Sequence, residues 1–328
     1  MSSVNKEIIA AIKRVLPDVE CVIGWGPGPD ALHAAPCFIT SEAEADASQT
    51  GFFAVNNPAL YLPEYRGKKV AVVAKGCDSR SIGQLVAEEL VNREEVHIIG
   101  YPCEGVISQD RLAGLLLSGE TGLGVVEPGS VESVREEGDV LVLAAGGKEA
   151  RIKKADVLAG KCARCRYPNA VHVDTFVGEQ RAPVADKDDY ADLLAFEKLS
   201  YEERKEFWEK EMSRCIRCYA CRNACPLCVC RDHCIAQSRD PQWITQADGV
   251  REKLFFQVIH SMHLAGRCTG CGECERACPV GLPLLLLRRT LSRRVEDLFG
   301  FEAGVKTDAE QPLQTFKIEE PRIKERHW

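Results

Sequence analysis

Twice in its second half the chain sets four cysteines at the same spacing and closes the set with proline: "CIRCYACRNACP" from Cys215 and "CTGCGECERACP" from Cys268. Thiols that close together on one loop leave no room for a core between them, so the local fold must be built around whatever they bind. The chain holds 17 cysteines, an odd total, and a reducing intracellular compartment keeps disulfides from forming, so metal is the expected ligand. Three closely spaced thiolates can hold three irons of a 4Fe-4S cube before the chain turns away, and proline fixes φ at that departure. The fourth iron is then reached by the last cysteine of the other run. By that rule one cluster takes Cys215, Cys218, Cys221 and Cys278, and a second takes Cys268, Cys271, Cys274 and Cys225.

Zinc also uses C-x2-C pairs, but a zinc ribbon needs two pairs and leaves the third and fourth cysteine of each run without a role. Cys221, Cys225 and Cys228 reproduce the C-x3-C-x2-C spacing of radical SAM enzymes, although two of them are already claimed by the first run. Residues 226–267 separate the runs and contain an apolar helical segment with Leu254, Phe255, Val258, Ile259 and Met262, more chain than a compact βαβ ferredoxin holds. The pattern resembles the α-helical ferredoxin module of succinate dehydrogenase and heterodisulfide reductase iron-sulfur subunits. Arg214, Arg217, Arg222, Arg267 and Arg276 flank the ligands; they read either as solvated charges or as cations that raise the cluster potentials.

The first half has a different pattern. "ECVIGW", "KKVAVVAKG", "EVHIIGY" and "DVLVLAAG" read as buried strands, with "SRSIGQLVAEELVNR" as an amphipathic helix, which predicts an open, mostly parallel α/β sheet. Cys77 ends one of these strands and Cys103 closely follows the next, so a right-handed βαβ unit brings both to the same carboxyl edge. With the pair in "CARC", Cys162 and Cys165, four thiolates are available for a third 4Fe-4S cluster. Zinc, a thioredoxin-like dithiol at "CARC" and unrelated buried thiols are the competing readings. Cys228, Cys230, His233 and Cys234 suit packing beside a cluster or an extra metal site, and Cys21 and Cys37 suit the core. "GWGPGPDA" fails the dinucleotide fingerprint because Pro29 stands where the third glycine belongs. His260 and His263 sit on an apolar helix and read as packed. There is no Walker sequence, no H-E-x-x-H and no nucleophile with a base, so no catalytic residue is assigned.

Composition adds exclusions. With 328 residues and 45% hydrophobic content, two packed domains are expected. Lys and Arg total 42 against 49 Asp and Glu, a net charge of -7 that argues against a nucleic-acid partner. No run reaches the roughly 20 apolar residues of a membrane span, and "MSSVNKEIIAAIKRVLP" reads as a surface helix, so a cytoplasmic protein is expected. The expected organisation is an α/β domain over 1–150, the CxxC segment and a junction over 151–190, and a mainly helical domain with two clusters over 191–301. An extended arm over 302–328 completes it, with Phe316, Ile318, Ile323 and Trp328 either frayed or docked on a partner subunit.

With "KGCDSRSI", "GYPCEGV", "KCARCRYPNAVHVD" and both cysteine runs in view, the chain resembles the β-subunit family of coenzyme F-420 (deazaflavin) hydrogenases and formate dehydrogenases, most closely the ferredoxin-domain members of heterodisulfide-reductase-like complexes. The resemblance implies an iron-sulfur electron-transfer subunit of an anaerobic oxidoreductase complex. Its implied partners are a flavoprotein, a heterodisulfide-reductase-like subunit, a hydrogenase or a molybdenum or tungsten formate dehydrogenase. It also implies FAD beside a cluster, for which no segment matches a flavin site residue by residue. The alternative expectation is a flavin-containing subunit that reduces or oxidises a deazaflavin or nicotinamide coenzyme.

Overall fold

The computed structural model describes residues 3–182, 190–230, 234, 242–313 and 315. Helix α1 (Ser3–Val15) leads into β1 (Val22–Pro27), β2 (Ala34–Ile39) and the short α2 (Glu42–Asp46). Strand β3 (Val70–Ala74) is followed by α3 (Gly76–Ala87), β4 (Val96–Gly100) and α4 (Gln109–Ser118). Then come β5 (Ser133–Glu137), β6 (Val140–Ala145), β7 (Lys148–Lys153), the single-turn α5 (Gly160–Ala163) and β8 (Thr175–Phe176). The main sheet has the order β2-β1-β3-β4-β8. Only β2 runs antiparallel to its neighbour, while β1, β3, β4 and β8 pair in parallel. This is the mostly parallel α/β sheet that the apolar runs predict.

Every residue of β3 is buried, because helices cover both faces of the sheet. Ala71 and Val73 pack with Ile8 and Ile12 of α1 and with Trp25. Val70, Val72 and Ala74 point the other way, onto Ile82 and Leu85 of α3, as the period of two in a strand requires. Cys225, Leu227 and Leu264 from the second half of the chain belong to this same core. The α3 face of the sheet is thus the seat on which the cysteine-rich half rests.

One strand lies elsewhere than expected. "DVLVLAAG" forms β6 at the centre of a separate antiparallel sheet, β5-β6-β7. The loops on either side explain it. Gly138, Gly146 and Gly147 all have positive φ, so both connections are two-residue hairpins, and hairpins can join only antiparallel strands. Strand β2 was not foreseen either; it carries Pro36 and occupies the sheet edge, where a missing N–H costs no ladder bond.

The second half is helical: α6 (Ala191–Glu197), α7 (Tyr201–Arg214), α8 (Ala220–Asn223), α9 (Val250–His263), α10 (Glu273–Arg276) and α11 (Leu284–Phe299). A capping box starts α7, with Glu203 N–H donating to Ser200 Oγ at 3.2 Å and Ser200 N–H to Glu203 Oε2 at 2.7 Å. Trp208, Met212, Phe256, Leu284 and Leu285 form its core, and Cys215, Cys221 and Cys274 lie within it. Beyond α11 the chain folds back on α3: Arg80 Nη2 donates to Ala303 O at 2.7 Å and Gln84 Nε2 to Gln311 Oε1 at 2.9 Å. This part of the arm is docked within the chain itself. Phe316, Ile318, Ile323 and Trp328, and the stretch 183–189, lie outside the described residues.

Candidate metal centres

The two cysteine runs share one backbone conformation. In the first, Arg217 and Tyr219 have φ of 52° and 62°; at the matching places of the second, Gly270 and Gly272 have φ of 69° and 75°. These left-handed residues curl each loop so that backbone N–H groups face sulfur. Arg217 N–H donates to Cys215 Sγ at 3.4 Å, and the Gly270 N–H holds the Cys268 thiol in the same way. A single helical turn, α8 or α10, then carries the third cysteine, and Pro226 or Pro279 follows the fourth. That Arg and Tyr occupy a conformation natural to glycine, at about 1 kcal/mol each, means the surrounding loop imposes it.

Cys215, Cys218, Cys221 and Cys278 line one small cavity of about 20 Å³, walled by Phe256, Leu282 and Leu284. The fourth member comes from the other run. Leu282 N–H donates to Cys278 Sγ at 3.4 Å, and Gln257 Nε2 lies 3.7 Å from Cys221 Sγ. In the second set Cys225, Cys271 and Cys274 are buried and Cys268 is half-buried. Burial, and next the charge of Cys225, pushes the Cys271 thiol up to about 12; burial and Cys225 likewise raise Cys268. Among the described residues no three of His, Cys, Asp and Glu converge as a single metal ion would require. A cubane asks for a wider set, since each thiolate binds a different iron.

Cys77 lies in the first turn of α3, directly after β3, and Cys103 follows β4. Cys162 is on α5 and Cys165 just beyond it. All four line a cavity of about 480 Å³, and Cys268 of the second run lines it too. Val106 N–H donates to Cys162 Sγ at 3.3 Å and Gly105 N–H to Cys103 Sγ at 3.4 Å. Burial raises the Cys103 thiol to about 12, while Lys75 pulls the other way; Cys77 is raised by burial and then by Asp78.

Sequence reasoning passed over the charged groups around these thiols. Lys75 and Asp78 form an ion pair at 2.9 Å with both side chains 1% exposed, and Lys75 Nζ stands 3.8 Å from the Trp25 ring centroid. Lys161 donates to Cys271 O at 2.5 Å. Burial alone would lower its pKa, but Cys77, Glu273 and Cys162 raise it above the ordinary lysine value, so it bridges the third set and the second. The adjacency in "KGCD" and "KC" was the available signal.

The arginines singled out beside the ligands are bonded elsewhere: Arg214 to Val280 O and Glu211, Arg217 to Thr245 O and Ala247 O, Arg222 to Cys230 O, Arg267 to Glu88, Arg276 to Glu273. Of the remaining cysteines, Cys21 is buried in the core on the α3 face of the sheet and Cys37 packs against the core on the α1 face. Cys228, Cys230 and Cys234 line a further cavity with His260 and His263; His233 lies outside the described residues. His260 is packed as expected, with Nε2 3.2 Å from Cys228 Sγ, whereas His263 is exposed.

Residues 211–282 match the 4Fe-4S dicluster domain family. The F420-dependent formate dehydrogenase subunit beta of Methanocaldococcus jannaschii is 27% identical over 90% of this chain and 91% of its own length. Subunit beta of F420-dependent formate dehydrogenase 1 from Methanococcus maripaludis is 24% identical over 93% of this chain and 92% of its own. Among solved structures, a chain of the F420-reducing [NiFe] hydrogenase complex from Methanosarcina barkeri aligns with 66% of this chain and 86% of its own, at 13% identity and a TM-score of 0.40. The resemblance drawn from the motifs is borne out across nine tenths of the chain. Among the described residues no helix is long and apolar enough to cross a membrane.

Proposed function

We propose that the chain is an iron-sulfur electron-transfer subunit of a cytoplasmic oxidoreductase complex, with three 4Fe-4S sites in a row. Cys77, Cys103, Cys162 and Cys165 hold the first; Cys225, Cys268, Cys271 and Cys274 the middle; Cys215, Cys218, Cys221 and Cys278 the last. The observation that carries this is the shared cavity: Cys268 lines the same space as the four cysteines of the α/β domain, so the dicluster domain and the sheet edge face one another through a cysteine. The residues fit such groups. Thiols are gathered with backbone N–H donors aimed at sulfur, in two loops of one conformation, and Phe256, Leu282 and Leu284 wall the last site, where Cys218 alone of the first run is exposed. When bound, the clusters would supply one-electron relay between redox partners.

The chain's own residues prepare the sites. The raised thiols stay protonated until metal arrives, so loading releases protons, as metal binding to thiols generally does. Lys161 would offset negative charge between the first and middle sites. The relatives named as formate dehydrogenase beta subunits support a place in a multisubunit oxidoreductase; a flavoprotein, heterodisulfide-reductase-like, hydrogenase or molybdenum or tungsten partner is what the motif resemblance implies.

Iron and acid-labile sulfide per chain, measured on protein purified without oxygen, test the assignment. About twelve irons, falling towards about eight in Cys77→Ser, is the expected result; about eight in both would remove the first site. A second reading has one observation in its favour: the cavity also presents Arg80, Arg166 and Tyr167, a basic and aromatic lining that suits a flavin nucleotide beside the first site. Release of a yellow chromophore on acid denaturation would establish it.

A further inference from the structure

Arg288 occupies an unusual place. On α11 the buried residues are Leu284, Leu285, Arg288, Arg289 and Val295, so two arginines stand where the amphipathic pattern calls for aliphatic side chains, and Arg288 is the deeper of the two. It is only 2% exposed. Among the described residues it has no carboxylate within ion-pair distance; Glu275 is near enough to feel its charge, but Glu275 Oε1 accepts from Leu285 N–H at 2.8 Å. One N–H is accounted for: Nη2 lies 2.8 Å from His260 Nδ1. Guanidinium has only donors, so Nδ1 must accept, and the neutral imidazole then carries its proton on Nε2 and donates to Cys228 Sγ. The Nε and Nη1 atoms of Arg288 are buried without any partner among the described residues.

A buried guanidinium without counter-charge and with orphaned N–H groups is costly, of order 1–3 kcal/mol per unmade bond to a neutral group and more for a charged one. Thiols of both dicluster sites lie near enough to feel its charge: Cys274, Cys225 and Cys268 from the middle one and Cys221 from the last. The five arginines adjacent to the ligands in sequence all spend donors on carbonyls or carboxylates. Lys253 and Arg289, also buried in this domain, pair with Asp248 at 2.8 Å and with Asp192 at 2.5 Å.

We propose that Arg288 is a cation shared by the middle and last clusters, its unpartnered N–H groups donating to sulfur of both and holding both reduction potentials up together. The proposal rests on the cysteine assignment above. Hydrogen bonds to cluster sulfur and nearby positive charge each favour the reduced, more negative state. A single guanidinium serving two centres shifts both in the same direction, which keeps them close in potential.

The test uses the full chain, purified without oxygen, as wild type, Arg288→Lys and Arg288→Gln, with iron and sulfide counted before EPR-monitored redox titration. The expected result is that Arg288→Gln moves both dicluster midpoints negative and leaves that of the first site in place, while Arg288→Lys recovers part of the shift because it keeps charge but loses the fork. Unchanged midpoints at full iron content overturn the proposal and leave the cluster assignment standing; a wild type without iron in these sites overturns both. If the variants do not load, the wild type still decides. With isotopically labelled guanidinium nitrogen in its arginines, electron-spin-echo spectra of the reduced dicluster centres should show nitrogen coupling, and its absence from both overturns the proposal.

Discussion

Gly270 and Gly272 show what single residues contribute to a cysteine loop. Both sit at positive φ, and a Cβ on Gly270 would meet nothing within 4 Å, whereas one on Gly272 would stand 2.7 Å from Lys161 Cδ. Gly270→Ala should therefore cost the left-handed strain alone, about 1 kcal/mol, and Gly272→Ala more. Urea unfolding midpoints would rank them, and equal costs would mean that Lys161 yields freely. His260 makes a different prediction. Burial, then the charge of Arg288, holds its pKa down to about 2 against an ordinary 6.5. Below its ordinary value the unfolded chain takes a proton there that the folded chain refuses. Stability is thus full above that value and falls as pH drops, by up to about 1.4 kcal/mol per pH unit. Between about pH 7 and about pH 5 the wild type should lose more stability than His260→Gln; equal losses would show that the imidazole titrates without unfolding.

At the scale of elements, the first site depends on how closely α3 approaches the segment that carries "CARC". A Cβ on Gly76 would lie 2.0 Å from Tyr167 O and 2.8 Å from Asn169 O, both backbone atoms with nowhere to go. Gly76→Ala should push residues 165–169 off the start of α3 and separate Cys77 from Cys165. Iron per chain should then fall by about four, with the dicluster EPR signals kept; a full complement would mean that this approach does not set the site. The hairpins of β5-β6-β7 teach the complementary point. Gly138, Gly146 and Gly147 at positive φ had already made the turns visible in "EEGDV" and "AAGGKE", and reading β6 by its apolar run alone concealed them.

Across the whole molecule, the two halves are joined by more than apolar contact. Arg267, next to Cys268, pairs with Glu88 at the end of α3, whose side chain is 5% exposed. Arg80 Nη1 donates to Thr269 O at 3.2 Å, and Ser81 Oγ lies 2.9 Å from Thr269 Oγ1. Arg267→Gln strands a buried carboxylate and should destabilise by about 3 kcal/mol. The double variant with Glu88→Gln should recover much of that, and a double-mutant cycle on thermal unfolding would read the coupling. No coupling would mean that the halves are held by their shared core alone.

What the sequence determined by itself was whatever depends on short separations: the two cysteine runs and their proline exits, the helices beside them, the parallel strands of the first half, and the chemistry that thiols at such spacings suit. Local spacing dictates local geometry, so these features needed no fold to be legible. Tertiary structure alone decided which distant groups meet. The α3 face seats Cys225, Leu227 and Leu264 in the core of the sheet, and that packing turns Cys268 into the cavity of Cys77, Cys103, Cys162 and Cys165. It also brings Lys161 and Arg288, neither of them within a cysteine run, close enough to feel thiols of two cysteine sets each. Arg288 was half visible, as a cation among the aliphatic residues of an inward-facing helix side. Its target was not, because a helical period shows that a residue faces inward and says nothing of what it will face.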